Sequence, residues 1–538
     1  MAMTNRIKQV PPLNVNGVKT EFTYDIYNGQ LANIYYNNMN DFPVPKSTQS
    51  QPPSKITIVS AFFNINRDQW NYAKRSVDHY IECFKNWLYL YNHHKYNILL
   101  FLDDTLMSNT TMHTLFLQFP TLRVVPINLS WFMEHSLSWK KLPVATRIME
   151  SQSYKTLIAH RILFNIPETI YPKYNALNHS KIDMIKYAIE QKYINMDEFV
   201  CWLDFGYFGS VFHNNFHAFP YAGLDITKFN TEKLNFCVCN KLNILDLNPF
   251  YTAVVAKNTF TGGFFAGMPT TLLQFHQAFH ECLDELNDLN VADDDQHVYL
   301  RCFIKRPECF ELFLSENKWP ESVVYFQKHI HNCFELVNYY LTHSQSQSQS
   351  QSQSQSQIVE IGVGKGQMSH FILESHPHCQ LHCIDPYVAY DDYEDSYNNM
   401  LRNENGNTMF EYVKTQLACY GERVCFYRTF SVAKETLDLF KEQSVDMVYI
   451  DANHKYNYVL EELEGWFPKL KSGGCLICDG AFYDQSQNQA QAQAQNQWIQ
   501  WSNGGWGKYG VIQACRDFAK KKSIPYYKCT SQIIFLKM

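Results

Sequence analysis

The chain of 538 residues has no run of 18 or more apolar residues, so no segment is expected to span a membrane. It also has no basic tract, and its formal net charge is −6. Both argue against a nucleic-acid partner, since a phosphate backbone calls for a surface rich in lysine and arginine. No D/N-PP-Y segment of the base-methylating kind is present. The first residues, MAMTNRIKQVPPLNVNG, lack an apolar core and do not read as a signal peptide. A complete zinc set of cysteines is not expected either. The 16 cysteines are scattered, and the CxC at Cys237 and Cys239 has no second pair to complete a ligand set. Reduced, mostly buried thiols and a cytoplasmic location are therefore expected. What the chain does have is apolar material, 46% hydrophobic with 15% aromatic, which suffices for sizeable cores.

Residues 1–54 are rich in Asn, Pro, Tyr and Gly and read as an extended arm. From Lys55 onward strands alternate with helices. Apolar strands are expected at Ile56–Phe63, at Tyr96–Leu102 before Asp103 and Asp104, at Leu122–Ile127, and at Glu198–Leu203 before Asp204. Helical periodicity covers Asp78–Leu90 and Lys181–Ile189. This pattern predicts an α/β domain over 55–318 with a mostly parallel sheet. A second α/β domain is expected over 319–538. It opens with a helix at Tyr325–Leu341, which makes the pure Ser-Gln alternation at 344–357 a flexible loop inside that domain. A second polar run, 485–497, separates a strand at Cys475–Cys478 from a helix at Val511–Lys520. It lies on the side of the strand carboxyl ends, as a lid or as an insertion without a role.

The second domain carries the sharper chemistry. The strand Ile358, Val359, Ile361 runs into Gly362, Gly364 and Gly366, and the next strand, Leu381–Ile384, ends in Asp385. A carboxylate at that strand tip is placed to accept ribose hydroxyls. The turn reads E-x-G-x-G-x-G from Glu360, which resembles motif I of class I methyltransferases and implies S-adenosylmethionine as cofactor. Glu360 would meet the methionine amino end or hold the glycine loop. Two further strands end in Asp451, within VYIDANHKY, and in Asp479. Carboxylates gathered at strand tips are costly unless they meet hydroxyls or a cation, and a hard divalent ion, Mg or Mn, would satisfy these two. The segment resembles the macrocin O-methyltransferase type, which acts on sugar hydroxyls. That resemblance implies Asp451 and Asp479 as metal ligands and His454 as the base. The chain departs from the pattern at Cys478-Asp479-Gly480, where many relatives have a second acid. The resemblance places the adenine contact at Ser431, which reads equally as the N-cap of a helix over Val432–Phe440.

In the first domain KITIVSAFFNINR, FLDD, EFVCWLDFGYF and TGGFFAG resemble the HtrL/YibB family over roughly residues 55–315. That family resembles GT-A glycosyltransferases, which implies Asp204 as ligand of a divalent ion bridging a nucleotide diphosphate. Gly206 stands where a second carboxylate would complete D-x-D. Asp103 and Asp104 read as nucleotide contacts or as a turn. TGGFFAG at 261–267 reads as a turn that cradles a sugar against Phe264 or Phe265, or as a turn in the core. Asp295 would orient or deprotonate the acceptor hydroxyl, or serve only as a favourable helix N-terminal charge. Asn175 and Lys181 are weaker candidates, Lys181 as a phosphate contact.

The fold expected is thus two α/β domains, a GT-A-like nucleotide-sugar domain and a Rossmann-like class I methyltransferase domain. The function implied is a bifunctional glycan-modifying enzyme. Its partners would be a nucleotide sugar and a glycan or glycosylated small-molecule acceptor, and a homodimer is compatible with this. The alternatives are a methyltransferase for a sugar or a small phenolic metabolite, with an N-terminal glycan-binding module. Abundant Asn and 35 Tyr resemble the composition of proteins of large AT-rich DNA viruses, which genome composition alone would produce. If viral, the protein would work in the host cytoplasm or the virion.

Overall fold

Apolar runs with little polar alternation need both faces covered, and in this chain they become central strands. The computed structural model describes residues 55–71, 73–119, 121–159, 166–207, 222–240, 244–255, 259–314, 322–345, 355–391, 396–403, 406–481, 499–500, 506–507 and 510–538, with backbone pairing of 14–15 and 18–19. The remainder of the expected arm and the polar run at 485–497 lie outside the described residues. The chain forms two units. One comprises Met1–Ile81, Asn97–Tyr207 and Asp225–Phe326, the other Glu82–Tyr96, Phe208–Leu224 and Gln327–Met538.

The first unit is built on a seven-stranded sheet of β1 (Ile56–Phe62), β2 (Asn97–Asp103), β3 (Leu122–Ile127), β4 (Phe199–Leu203), β5 (Leu234–Val238), β6 (Phe260–Gly267) and β7 (Phe310–Leu314), in the order β3-β2-β1-β4-β6-β5-β7. The first four of these neighbours pair in parallel, and β6 runs antiparallel to both β4 and β5. The strand order reverses between β1 and β4. Such a switch point opens a crevice at the carboxyl ends of the strands, where ligands of open α/β sheets bind. All five residues of β4 are buried, and Asp204 follows its last residue.

TGGFFAG, expected as a turn, is instead most of strand β6, buried along its whole length. Phe265 packs between Trp202, 6.3 Å away, and Phe236, 5.2 Å away, so the two phenylalanines serve the core and do not face a sugar. The physical reason is that aromatic pairs across neighbouring strands gain more from burial than an exposed turn would. Three helices matter below: α1 (Pro172–Glu190) and α2 (Pro269–Asp288), which both open with proline, and α3 (Asp295–Lys305). The Asp294 carboxylate accepts the Gln296 N–H and caps α3, whose first residue is Asp295.

The second unit has β8 (Ser356–Ile361), β9 (Cys379–Ile384), β10 (Val424–Tyr427), β11 (Val445–Ile450), β12 (Leu470–Cys478), β13 (Tyr527–Cys529) and β14 (Gln532–Leu536), in the order β10-β9-β8-β11-β12-β14-β13. Five strands are parallel, and β14 runs antiparallel to β12 and to β13. Its switch point lies between β8 and β11. Around the sheet stand α4 (Gln367–Ser375), α5 (Tyr456–Trp466) and α6 (Val511–Lys522). The helix expected at Tyr325–Leu341 runs over Cys333–Gln345. Asn332 accepts the Glu335 N–H at 2.9 Å and Glu335 accepts the His331 N–H at 2.9 Å, a reciprocal cap that fixes the start there. This helix enters the Ser-Gln run, and β8 begins at Ser356 inside it, so both ends of that run are ordered elements.

Candidate functional site

In the second unit a cavity of about 450 Å³ opens at the carboxyl ends of β8, β9 and β11. That is a size suited to a cofactor. Glu360, Gly362, Gly364, Asp385, Asp451, His454 and Asp479 line it, so most of the residues singled out in this half converge there. Ser431 is not among the lining residues. Its hydroxyl donates to Glu462 at 2.7 Å, and its carbonyl accepts from Trp466, which is a structural role.

The glycine turn is shaped by close approach. Gly362 has φ +83°, and a Cβ there would fall 2.2 Å from the Asp451 carbonyl oxygen, so only glycine lets β8 and β11 end side by side. Gly364 donates its N–H to one oxygen of Asp385 at 3.1 Å, and Tyr387 donates to the other at 2.7 Å. Burial pushes the Asp385 carboxyl above its usual range, while these two backbone donors pull it back. They also fix its orientation and leave each oxygen a lone pair for a ligand hydroxyl.

Glu360 is buried beneath the turn, and the Ser369 hydroxyl donates to it. Burial raises its carboxyl to about 8, the Ser369 bond opposes this, and Asp451 and Asp385 add to the rise. In the unfolded chain the carboxyl ionises near its ordinary value of 4.5, so the stability it contributes is full below that pH and is lost as pH climbs to about 8. Glu360→Gln removes the dependence. The stability of the variant relative to wild type, read by urea unfolding, is expected to rise between pH 4.5 and pH 8 by roughly 4 kcal/mol. The same difference at both pH values would show that Glu360 is ionised in the fold.

Nε2 of His454 lies 3.2 Å from Oδ1 of Asp451, with the histidine mostly buried and the aspartate half exposed. A Cβ on Gly480 would come 2.8 Å from the His454 ring, so the glycine after Asp479 clears the space the imidazole occupies. Asp479 itself is spoken for. Oδ1 accepts from Gly480 N–H at 2.7 Å, Gln532 at 2.8 Å and Ser531 at 3.3 Å, and Oδ2 accepts from the Tyr449 hydroxyl at 2.9 Å. With both oxygens committed to protein donors and Asp451 turned to His454, these residues do not fit the expected divalent ion.

In the first unit the switch point holds a buried ion cluster. The Lys181 ammonium reaches Asp204 Oδ1 at 3.0 Å, Asp295 Oδ2 at 2.9 Å and the Gly262 carbonyl at 2.9 Å. Its three hydrogens are therefore matched by three acceptors. Burial alone would lower the Lys181 pKa, but the two carboxylates outweigh it and hold the ammonium above its usual range. Asp204 also accepts from the Trp202 indole at 2.7 Å, and Asp295 from the Tyr299 hydroxyl at 3.0 Å. Gly262 permits the approach, since a Cβ there would fall 2.9 Å from Asp295. The position foreseen for a metal on Asp204 is thus held by a lysine cation, and Lys181 has no hydrogen left for a phosphate. Asp103 accepts from Thr105 and Asn64, and Asp104 from Asn128, so both organise turns. Asn175 is buried and donates to the Glu168 carbonyl at 2.8 Å.

Residues 54–328, just over half of the chain, match a family described as a bacterial protein of unknown function (HtrL_YibB). The chain belongs to the HtrL/YibB family. Protein HtrL of Escherichia coli (strain K12) is 24% identical over 278 residues, which cover 49% of this chain and 90% of that protein. Beyond the HtrL/YibB part, residues 359–481 match a methyltransferase domain, the stretch that holds Glu360, Asp385, Asp451, His454 and Asp479. Among solved structures, an O-methyltransferase family protein from Burkholderia thailandensis is 12% identical, covering 37% of this chain and 56% of that chain with a TM-score of 0.24. Precorrin-6y C5,15-methyltransferase from Geobacter metallireducens GS-15 is 13% identical, covering 34% and 70% with a TM-score of 0.20. By its family match the second unit resembles a methyltransferase domain, and the first is HtrL-like. No helix among the described residues is long and apolar enough to cross a membrane.

One polar group of the HtrL/YibB part was not foreseen. Asp183 on α1 lies between His276 and His280 on α2, its Oδ1 at 2.9 and 2.7 Å from their Nε2 atoms. The signal was there: two histidines spaced i, i+4 share one helix face.

Proposed function

We propose that this chain is a two-site glycan-modifying enzyme. The second unit is an S-adenosylmethionine-dependent O-methyltransferase for a sugar hydroxyl, and the first a nucleotide-sugar-dependent glycosyltransferase. The observation that carries the methyltransferase reading is the cavity in which the oriented Asp385 carboxylate and the Gly362–Gly366 turn stand beside the Asp451–His454 pair. The chemistry of the donors fits the cofactor. Asp385 would accept the ribose hydroxyls and the glycine backbone would allow close approach. When bound, S-adenosylmethionine supplies an electrophilic methyl group. His454 takes the proton from the acceptor hydroxyl, and the Asp451 carboxylate, 3.2 Å from its Nε2, stabilises the imidazolium that results. The resemblance to the macrocin type supports a sugar as acceptor, and fusion with a sugar-transferring unit would raise the local concentration of a shared intermediate if both sites can reach it.

The glycosyltransferase reading rests on the GT-A resemblance, with Asp204 at the switch point in support. One observation favours the alternative of a glycan-binding module: Lys181 saturates the carboxylates that a diphosphate-bridging ion would need. The test combines labelled S-adenosylmethionine with sugar and phenol acceptors, and nucleotide sugars with and without the Asp204→Ala change. Methyl transfer to a sugar, reduced about 100-fold or more by His454→Gln, is expected. Transfer to phenols alone would overturn the sugar assignment. No nucleotide-sugar turnover with any donor, with glycan acceptors present, would leave a binding module in the first unit.

A further inference from the structure

We infer that Asp183, His276 and His280 form a binding site for one first-row transition ion of the zinc type, separate from the Lys181 cluster. The three donor atoms lie within 4.8 Å of one another, and all three residues are buried. Two imidazoles and a carboxylate are the donors such an ion selects, whereas Mg and Ca favour oxygen alone. The spacing is close to what binding requires. Ligand atoms about 2.1 Å from a shared ion at the tetrahedral angle stand about 3.4 Å apart. The Asp183 oxygen is 2.9 and 2.7 Å from the two ring nitrogens, so the contacts need to open by about 0.5 and 0.7 Å, within reach of small side-chain rotations.

The carboxylate is held from behind as a ligand should be. Its second oxygen accepts from the Ser136 hydroxyl at 2.7 Å and the Ser138 N–H at 3.0 Å, and Ser136 is bonded in turn to Ser180 at 2.8 Å. Such outer partners orient metal ligands and tune their affinity. A further buried imidazole, His179, lies one helical turn before Asp183 on α1 and within electrostatic reach of both Asp183 and His280, and its Nε2 has no hydrogen-bond partner. Polar atoms left unmatched at such depth are expensive unless a group not yet counted satisfies them. On binding, the protons now shared between the Nε2 atoms and Asp183 move to Nδ1 of each ring or to solvent, freeing the Nε2 lone pairs for the ion. Because Asp183 sits two residues after Lys181 on α1, an ion here would fix the helix that carries the ammonium.

The experiment strips the full chain with a chelator and titrates Zn²⁺ by calorimetry and Co²⁺ by its visible absorption. One ion per chain is expected to bind, about tenfold or more weaker in His280→Gln and in His276→Gln, and unchanged in the exposed control His113→Gln. X-ray absorption on the wild-type cobalt form keeps the test decisive if a variant fails to fold. A first shell with two imidazoles supports the site. Absence of stoichiometric binding in wild type, or equal binding in the three variants, overturns it and leaves a hydrogen-bonded cluster without an ion.

Discussion

Lys181→Met is expected to destabilise the first unit by about 3–5 kcal/mol, the size seen when one partner of a buried ion pair is removed. Asp295 is 2% exposed and Lys181 6%, so water cannot take over the lost charge. The methionine also leaves the Gly262 carbonyl without its 2.9 Å donor. The effect should reverse in part when Asp295→Asn is added, since the double variant no longer buries an unpaired carboxylate. Urea unfolding of the single and double variants measures both. A loss below about 1 kcal/mol for Lys181→Met would mean that Asp204 and Asp295 are already protonated or hydrated, and that the lysine does not hold the site together.

The second large effect is at Gly362. Alanine there faces two independent obstacles: a φ of +83°, which an L side chain rarely adopts, and a Cβ 2.2 Å from the Asp451 carbonyl. A backbone oxygen cannot swing aside as a flexible side chain would. The ends of β8 and β11 must part, taking the turn that faces Asp385 with them. Gly362→Ala is therefore expected to abolish measurable cofactor binding and to cost several kcal/mol of stability, of the order of 3 kcal/mol. Gly421, also at positive φ but with nothing within 4 Å of its Cβ, is the control, and Gly421→Ala should leave cofactor binding near wild type. Equal effects at the two glycines would show that the backbone conformation alone matters and that the approach to Asp451 does not.

The strand-tip carboxylates could be read from the sequence because a buried parallel strand announces itself as a short apolar run, and the residue after it is placed by the fold. Asp204, Asp385, Asp451 and Asp479 all follow such runs, and all four stand at strand ends. What surrounds each carboxylate could not be read. Asp479 is filled by Ser531 and Gln532, from the turn and the start of a strand more than fifty positions later. Asp204 is filled by Lys181 and faces Asp295 across it, and neither relation leaves a local periodicity. Both expected metal sites changed for this reason. TGGFFAG misled in the opposite direction. Its glycines suggest a turn, yet Gly262 is there to admit Asp295 beside a buried strand. The buried Asp183 cluster was hidden because its carboxylate sits in mid-helix, though the His276–His280 spacing was in plain view.

On this reading the cavity beside Asp385 takes S-adenosylmethionine. Calorimetric titration of the full chain with S-adenosylmethionine, and in parallel with Asp385→Ala, tests it most directly. One molecule is expected to bind per wild-type chain, with the variant weakened by about a hundredfold, since a bidentate charged acceptor for two hydroxyls is lost. No binding to wild type, or equal binding to both proteins, would contradict it.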